Sequence, residues 1–134
     1  MEINAENMLF DRLNALVKAS SDKKIIIRNV LGQRYIASGA ENKEILIYGV
    51  AGNALGAYLS NTLVKVYGNA QDAAGDTMNS GSITVFGHAG DTIGYAMRGG
   101  EIYVRGDAGY RAGIHMKAYR EKKPVIVIGG RAGC

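Results

Sequence analysis

The sequence predicts an all-β chain: a right-handed parallel β-helix, a single-stranded solenoid of about nineteen residues per coil, led by a short N-terminal α-helix. Three observations predict it. Short aliphatic segments recur at one spacing, glycines follow each segment at fixed offsets, and the chain holds nineteen glycines against one proline while staying rich in Ile, Val and Leu. A disordered chain would lack those aliphatics, so the glycines serve a regular folded object.

Residues 1–24 are read as a lead-in and residues 25–134 as the β-helix domain. In the lead-in, Leu9, Leu13, Leu16 and Val17 fall at helical spacing, which predicts an amphipathic helix at about 5–19 with Asn4 as its N-cap. It packs on the outside of the solenoid or covers the first coil, where an open strand edge would otherwise invite aggregation.

The repeat itself has five clear copies: Ile45-Leu46-Ile47-Tyr48-Gly49, Val64-Lys65-Val66-Tyr67-Gly68, Ile83-Thr84-Val85-Phe86-Gly87, Ile102-Tyr103-Val104-Arg105-Gly106 and Val125-Ile126-Val127-Ile128-Gly129. The closing glycines are 19, 19, 19 and 23 residues apart, and a weaker copy, Ile25-Ile26-Ile27-Arg28-Asn29, precedes them. Asn29 suits a closing position because Asn tolerates left-handed backbone. The first and third positions are always aliphatic, so each strand buries one face. The spacing Gly49, Gly52, Gly56 returns at Gly87, Gly90, Gly94 and at Gly106, Gly109, Gly113, while Gly68 and Gly75 flank Gln71. If Gly87 and Gly106 are left-handed, Val at either costs about 1–2 kcal/mol. Connections this short carry no helix. The chain must instead wind forward and lay each strand parallel to its equivalent one coil on, about 4.8 Å away.

Between Gly113 and Pro124 the period gains four residues, and Lys117-Ala118-Tyr119-Arg120-Glu121-Lys122-Lys123 should bulge as a charged surface loop. The sequence stops at Cys134, inside what reads as the next turn: either the chain is naturally short there or further coils are missing. An exposed parallel edge of the solenoid predicts self-association as a homo-oligomer.

The net charge of +4 is concentrated late: residues 97–134 carry eight Lys/Arg against three acids. Such an excess can serve nucleic acid or an acidic protein partner, set against a solvated face, which its modest size favours; no nucleic-acid partner is assigned. No apolar run reaches the length of a membrane span, the N-terminus lacks the pattern of a secretory signal, and one cysteine makes no internal disulfide. A cytoplasmic location follows.

Chemistry is scarce. The glycine loops match neither the dinucleotide fingerprint nor the Walker A motif. His88 has no Cys or Glu around it at metal-ligand spacing. It takes the position of Asn69 one coil before and Asp107 one coil after, and is expected to hydrogen-bond up the stack, with a catalytic base as the alternative reading. Asn53, Asp72, Asp91 and Tyr110 form a second column; Asp72 over Asp91 raises the idea of a shared proton or cation, set against outward, solvated carboxylates at turns. Cys134 has no partner that would make it a nucleophile. No catalytic, cofactor-binding or metal residue is assigned. One column invites binding: Tyr48, Tyr67, Phe86, Arg105 and Ile128 precede the closing glycines and point outward if the aliphatics point in. This apolar stripe is covered by the N-terminal helix or docks a partner.

Gly49-Val50-Ala51-Gly52-Asn53-Ala54-Leu55-Gly56-Ala57-Tyr58, Gly68-Asn69-Ala70-Gln71-Asp72-Ala73-Ala74-Gly75 and Gly106-Asp107-Ala108-Gly109-Tyr110-Arg111-Ala112-Gly113 resemble the GXGXG domain that closes the large chain of glutamate synthase, over about residues 25–134. The segment running on to Lys117, then Pro124-Val125-Ile126-Val127-Ile128-Gly129-Gly130, is similar to versions in which the domain is a separate polypeptide. The β-helical subunit of formylmethanofuran dehydrogenase shares the repeat. The resemblance implies a right-handed β-helix within an oxidoreductase that moves ammonia from glutamine to 2-oxoglutarate for glutamate biosynthesis. It implies a non-catalytic scaffold, since the glutaminase cysteine, the iron–sulfur cysteines and the flavin barrel of that family have no counterpart in this sequence. The stop at Cys134 departs from the family, in which further coils follow.

Overall fold

A computed structural model describes residues 1–118 and 120–133; the expectations placed on Tyr119 and Cys134 lie outside the described residues. Seven strands form one sheet in sequence order: β1 (Glu2–Asn4), β2 (Lys24–Leu31), β3 (Glu44–Val50), β4 (Thr62–Tyr67), β5 (Gly81–Val85), β6 (Glu101–Val104) and β7 (Val125–Ile128). Every pairing is parallel. A parallel sheet in sequence order without crossover helices is a β-solenoid, each strand being one wall of a coil. Isolated parallel bridges such as Ala51↔Ala70 and Ala108↔Ala132 tie the other walls together.

Like stacks on like. Ile45 pairs with Val64, Val64 with Ile83 and Ile83 with Ile102; beside them Val66, Val85 and Val104 stand in line. All are buried, as are the interior turn residues Ile36, Leu55, Ile93, Leu59, Met78 and Met97. Period-two alternation puts one set of side chains inside on every strand, and the constant coil length repeats that choice at each level.

Three features of the sequence reading need correction. The helix α1 spans Phe10–Ala19, not 5–19, and Leu9 occupies its N-cap position without a side-chain cap. Residues 2–4 are β1, whose Ile3 is buried opposite Ile27, and Asn4 accepts the Glu6 N–H and the Asn29 side-chain amide rather than capping α1. A three-residue strand next to a longer helical pattern carries too little periodicity of its own to be seen.

Second, Gly49 sits opposite Val30, not Asn29. The extra residue of that twenty-residue coil is absorbed as a bulge, with Asn29 in left-handed backbone at φ 58°.

Third, the last strand is displaced by one residue. Ile126 pairs with Ile102 and Ile128 with Val104, both packing on the core, while Val125 and Val127 are 40% and 48% exposed. Val-Ile-Val-Ile is apolar in either phase, so alternation could not set its register. The closing glycine of this coil is therefore Gly130, whose N–H donates to Gly106 O, and Gly129 takes the level of Arg105.

α1 lies over the first coil. Leu13 and Val17 join the core cluster that includes Ile36; Asn14 donates to Arg34 O at 2.9 Å, and Phe10 meets Tyr35 at 6.1 Å between ring centres. The charged loop is exposed at Lys117, Arg120, Glu121, Lys122 and Lys123. Among the described residues, no helix is long and apolar enough to cross a membrane.

Candidate functional site

Two polar columns run up the turns, and both are spent on holding coils together. In the first, the backbone N–H of His88 donates to Asn69 Oδ1, that of Asp107 to His88 Nδ1 and that of Arg131 to Asp107 Oδ1, each at 2.7 Å. In the second, the Asp72 N–H donates to Asn53 Oδ1 at 2.9 Å, the Asp91 N–H to Asp72 Oδ1 at 2.7 Å and the Tyr110 N–H to Asp91 Oδ1 at 2.8 Å. Each side chain reaches one coil onward and accepts a backbone donor that the turn leaves unpaired. One oxygen of each of the Asp72 and Asp91 carboxylates is thus taken by a backbone N–H. His88 accepts at Nδ1, which requires the neutral ring with its proton on Nε2; the 3.9 Å separation from Asp107 Oδ2 is no ion pair in that state.

The same reach explains several glycines. A Cβ on Gly87 would collide with Asn69 Oδ1, one on Gly106 with His88 Nδ1, one on Gly90 with Asp72 Oδ1 and one on Gly109 with Asp91 Oδ1. Gly130 stands in the same relation to Asp107, which confirms it as the closing glycine. Gly87 and Gly106 are not left-handed, so the condition for that strain is not met; the preceding coil's side chain and its backbone carbonyl, Gly68 O and Gly87 O at 2.7 Å from a built Cβ, together leave no room for one. Left-handed backbone belongs to the third glycine of each loop, Gly56, Gly75, Gly94 and Gly113, at φ 64–73°. Gly49 and Gly68 also have positive φ, and a Cβ there would strike the carbonyls of Val30 and Gly49. At Gly52 the obstacle is Gly32 O, and at Gly129 it is Arg105 O, 2.6 Å from a built Cβ.

The outward column is a ring stack. Tyr48 and Tyr67 lie 4.7 Å apart at 18°, Tyr67 and Phe86 4.9 Å apart at 3°. These are the spacings of neighbouring strands. Arg28 covers the free face of Tyr48 at 4.7 Å and pairs with Glu2. Arg105 follows at the other end; Ile128 is not part of the column because of the one-residue displacement of β7. α1 does not cover this stripe. Its polar and ring contacts include Arg34 and Tyr35, its Leu13 and Val17 join the core, and Tyr67 and Phe86 stay 38% and 37% exposed.

Beside the stripe, Tyr103 donates its hydroxyl to Glu101 Oε2 at 2.6 Å. That hydrogen bond to a carboxylate, with slight desolvation and the carboxylate's charge, raises the phenol above its ordinary value of 10.0. Sequence reasoning placed Tyr103 only as a strand residue; the i, i+2 spacing of a carboxylate and a phenol on one strand face was the available signal. Among the described residues no group of three or more His, Cys, Asp and Glu is placed to hold a metal ion.

A parallel β-solenoid whose turns repeat G-x-x-G-x-x-x-G, with polar side chains laced from coil to coil, is a structural repeat module by its geometry. The GXGXG motif family model matches residues 20–134, and the chain belongs to that family, in agreement with its likeness to the C-terminal domain of glutamate synthase. It is 51% identical, over 137 aligned positions and 97% of its length, to the uncharacterized protein MJ1350 of Methanocaldococcus jannaschii. The chain spans about half, 52%, of the length of that curated relative. No solved structure matches the chain.

Proposed function

We propose that this chain is a non-catalytic scaffold of a glutamate synthase-like oxidoreductase assembly, holding glutaminase and flavin-bearing partners in register. The observation that carries the reading is the fate of the polar residues. Asn53, Asn69, Asp72, His88, Asp91 and Asp107, the side chains that the repeat brings into columns, each accept a backbone N–H from the next coil. Groups committed to the frame are poor candidates for acid–base work, whereas the outer sheet face offers exposed aromatic side chains of the kind enriched at interfaces. Membership of the GXGXG family supports the glutamate synthase context.

The same proposal puts the chain in the cytoplasm and makes it a homo-oligomer through a solenoid edge. Sedimentation showing a monomer up to high concentration would remove the second of these.

The test is to purify the tagged chain from its native host. Co-purification of a glutaminase chain and a flavin- and iron–sulfur-containing chain, with glutamine-dependent formation of glutamate in the fraction, is the expected result. Recovery of the chain alone would overturn the proposal. Recovery with molybdopterin-enzyme subunits would assign it instead to the formylmethanofuran dehydrogenase type.

A further inference from the structure

We propose that the outer face of β4–β6 docks an acidic segment of a partner polypeptide, one presenting two carboxylates about 12 Å apart with apolar side chains between them. The inference rests on the scaffold reading and names the chemistry of the partner. Six outward positions on three neighbouring strands and just past their ends define the face: Lys65 and Tyr67 on β4, Thr84 on β5 with Phe86 one residue beyond it, and Tyr103 on β6 with Arg105 one residue beyond it. Three aromatic side chains, Tyr67, Phe86 and Tyr103, are 38%, 37% and 38% exposed. The two cations stand at opposite corners, two strand spacings across and two residues along, which sets the separation given above.

Charge separates the two ends of the ring stack. At the Arg28 end the cation lies over Tyr48 and is paired with Glu2, so it is already neutralised. At the other end neither Lys65 nor Arg105 has a carboxylate within ion-pair distance among the described residues. The acid that adjoins the face, Glu101, has one oxygen taken by the Tyr103 hydroxyl.

The geometry of the rings also selects the partner. Tyr48, Tyr67 and Phe86 are stacked on one another, so the faces between them are occupied and their edges face solvent. Ring edges carry the positive part of the aromatic quadrupole and favour anionic or acceptor atoms. A nucleic-acid base needs an open ring face, and the inner faces of this ladder offer none. Cations, ring edges and the apolar borders of the rings together fit carboxylates set among aliphatic side chains.

The probe is a displayed library of random peptides, each about twelve residues long, panned against the full chain. Retained peptides should be enriched in paired acids flanking aliphatic residues. A fluorescein-labelled representative should bind saturably by anisotropy and weaken at least tenfold with Lys65→Glu/Arg105→Glu and with Phe86→Ala. Lys123→Glu, in the exposed loop, should leave binding unchanged. The milder pair Lys65→Gln/Arg105→Gln serves if the reversed pair does not fold by circular dichroism. Retained peptides without acidic enrichment, equal binding by the charge-altered pair, or an equal loss with Lys123→Glu would overturn the inference. So would tighter binding of a labelled oligo-dT that depends on the same two cations. Peptide binding that persists while the native-host purification yields the chain alone would refute the assembly and leave the docking face standing.

Discussion

The link between a polar side chain and the glycine above it can be measured as a coupling energy. Asp72 Oδ1 accepts the Asp91 N–H at 2.7 Å, and its path crosses the place where a Cβ on Gly90 would lie. Asp72→Ala removes one exposed charge-assisted hydrogen bond, a cost of about 1 kcal/mol. Gly90→Ala in the native background drives Asp72 from its position and adds overpacking, for a total of about 2–4 kcal/mol. With Asp72 already truncated, only the backbone of the preceding coil remains close to the new methyl, at 3.0 Å from the Gln71 carbonyl carbon and 3.1 Å from Asp72 N. The double variant should then be less destabilised than the two singles together, by about 1–2 kcal/mol. Urea unfolding followed by circular dichroism gives all four corners of the cycle; in thermal melts each kcal/mol corresponds to roughly 3–4 °C for a chain of this size. Asp72→Asn, which restores the chemistry that Asn53 has one coil before, should stay within about 0.5 kcal/mol of the parent. Costs that add to within about 0.5 kcal/mol would refute the reasoning, because the glycine would then be answering to the backbone alone.

Three further outcomes follow from the packing. Ile83→Ala should cost about 3–4 kcal/mol by denaturant titration, since this fully buried side chain fills the space beneath the loops at Gly56 and Gly75; a loss under about 1 kcal/mol would mean the interior is not close-packed there. Leu13→Ala should cost about 2–4 kcal/mol and speed amide exchange in β1 and the first coil ahead of the rest, because Leu13 is fully buried where α1 covers that coil; uniform exchange would argue that α1 is not a separate cap. The phenol of Tyr103 should titrate above 10.0 in ultraviolet difference spectra and move back toward it in Glu101→Gln. The sign follows from the raised value: the stabilising hydrogen bond is fully present below the ordinary tyrosine range and is lost as pH rises through the folded-state value.

How much was legible in the sequence depended on whether a residue's role was local or set by the next coil. The aliphatic columns were legible because period-two alternation and a constant coil length are both properties of the linear chain, so Val66, Val85 and Val104 could be placed in line before any coordinates. The outward ring column was legible for the same reason as far as Arg105. The register of β7 was not: Val125–Ile128 is apolar in both phases, and the four inserted residues removed the count that fixes the phase elsewhere. It is seen only in the tertiary structure, where Ile126 pairs with Ile102 and the Gly130 N–H meets Gly106 O.

The glycines divide along the same line. Their spacing came from the sequence, but the reason for each did not. Left-handed backbone accounts for Gly56, Gly75, Gly94 and Gly113, whereas Gly87, Gly90, Gly106 and Gly109 face a side chain eighteen positions earlier. The sequence put Asn69, His88 and Asp107 in one column that hydrogen-bonds up the stack, but it did not reveal that each side chain would meet a backbone N–H or pass over a glycine on the way. The order of residues was enough to define a repeating coil with an aliphatic inside. The stacking of coils was needed to decide which polar groups are consumed in lacing them and which outer cations, Lys65 and Arg105, have no acid within ion-pair distance among the described residues. Hydrogen-bond and charge satisfaction depend on neighbours that are distant in sequence and about 4.8 Å apart in space.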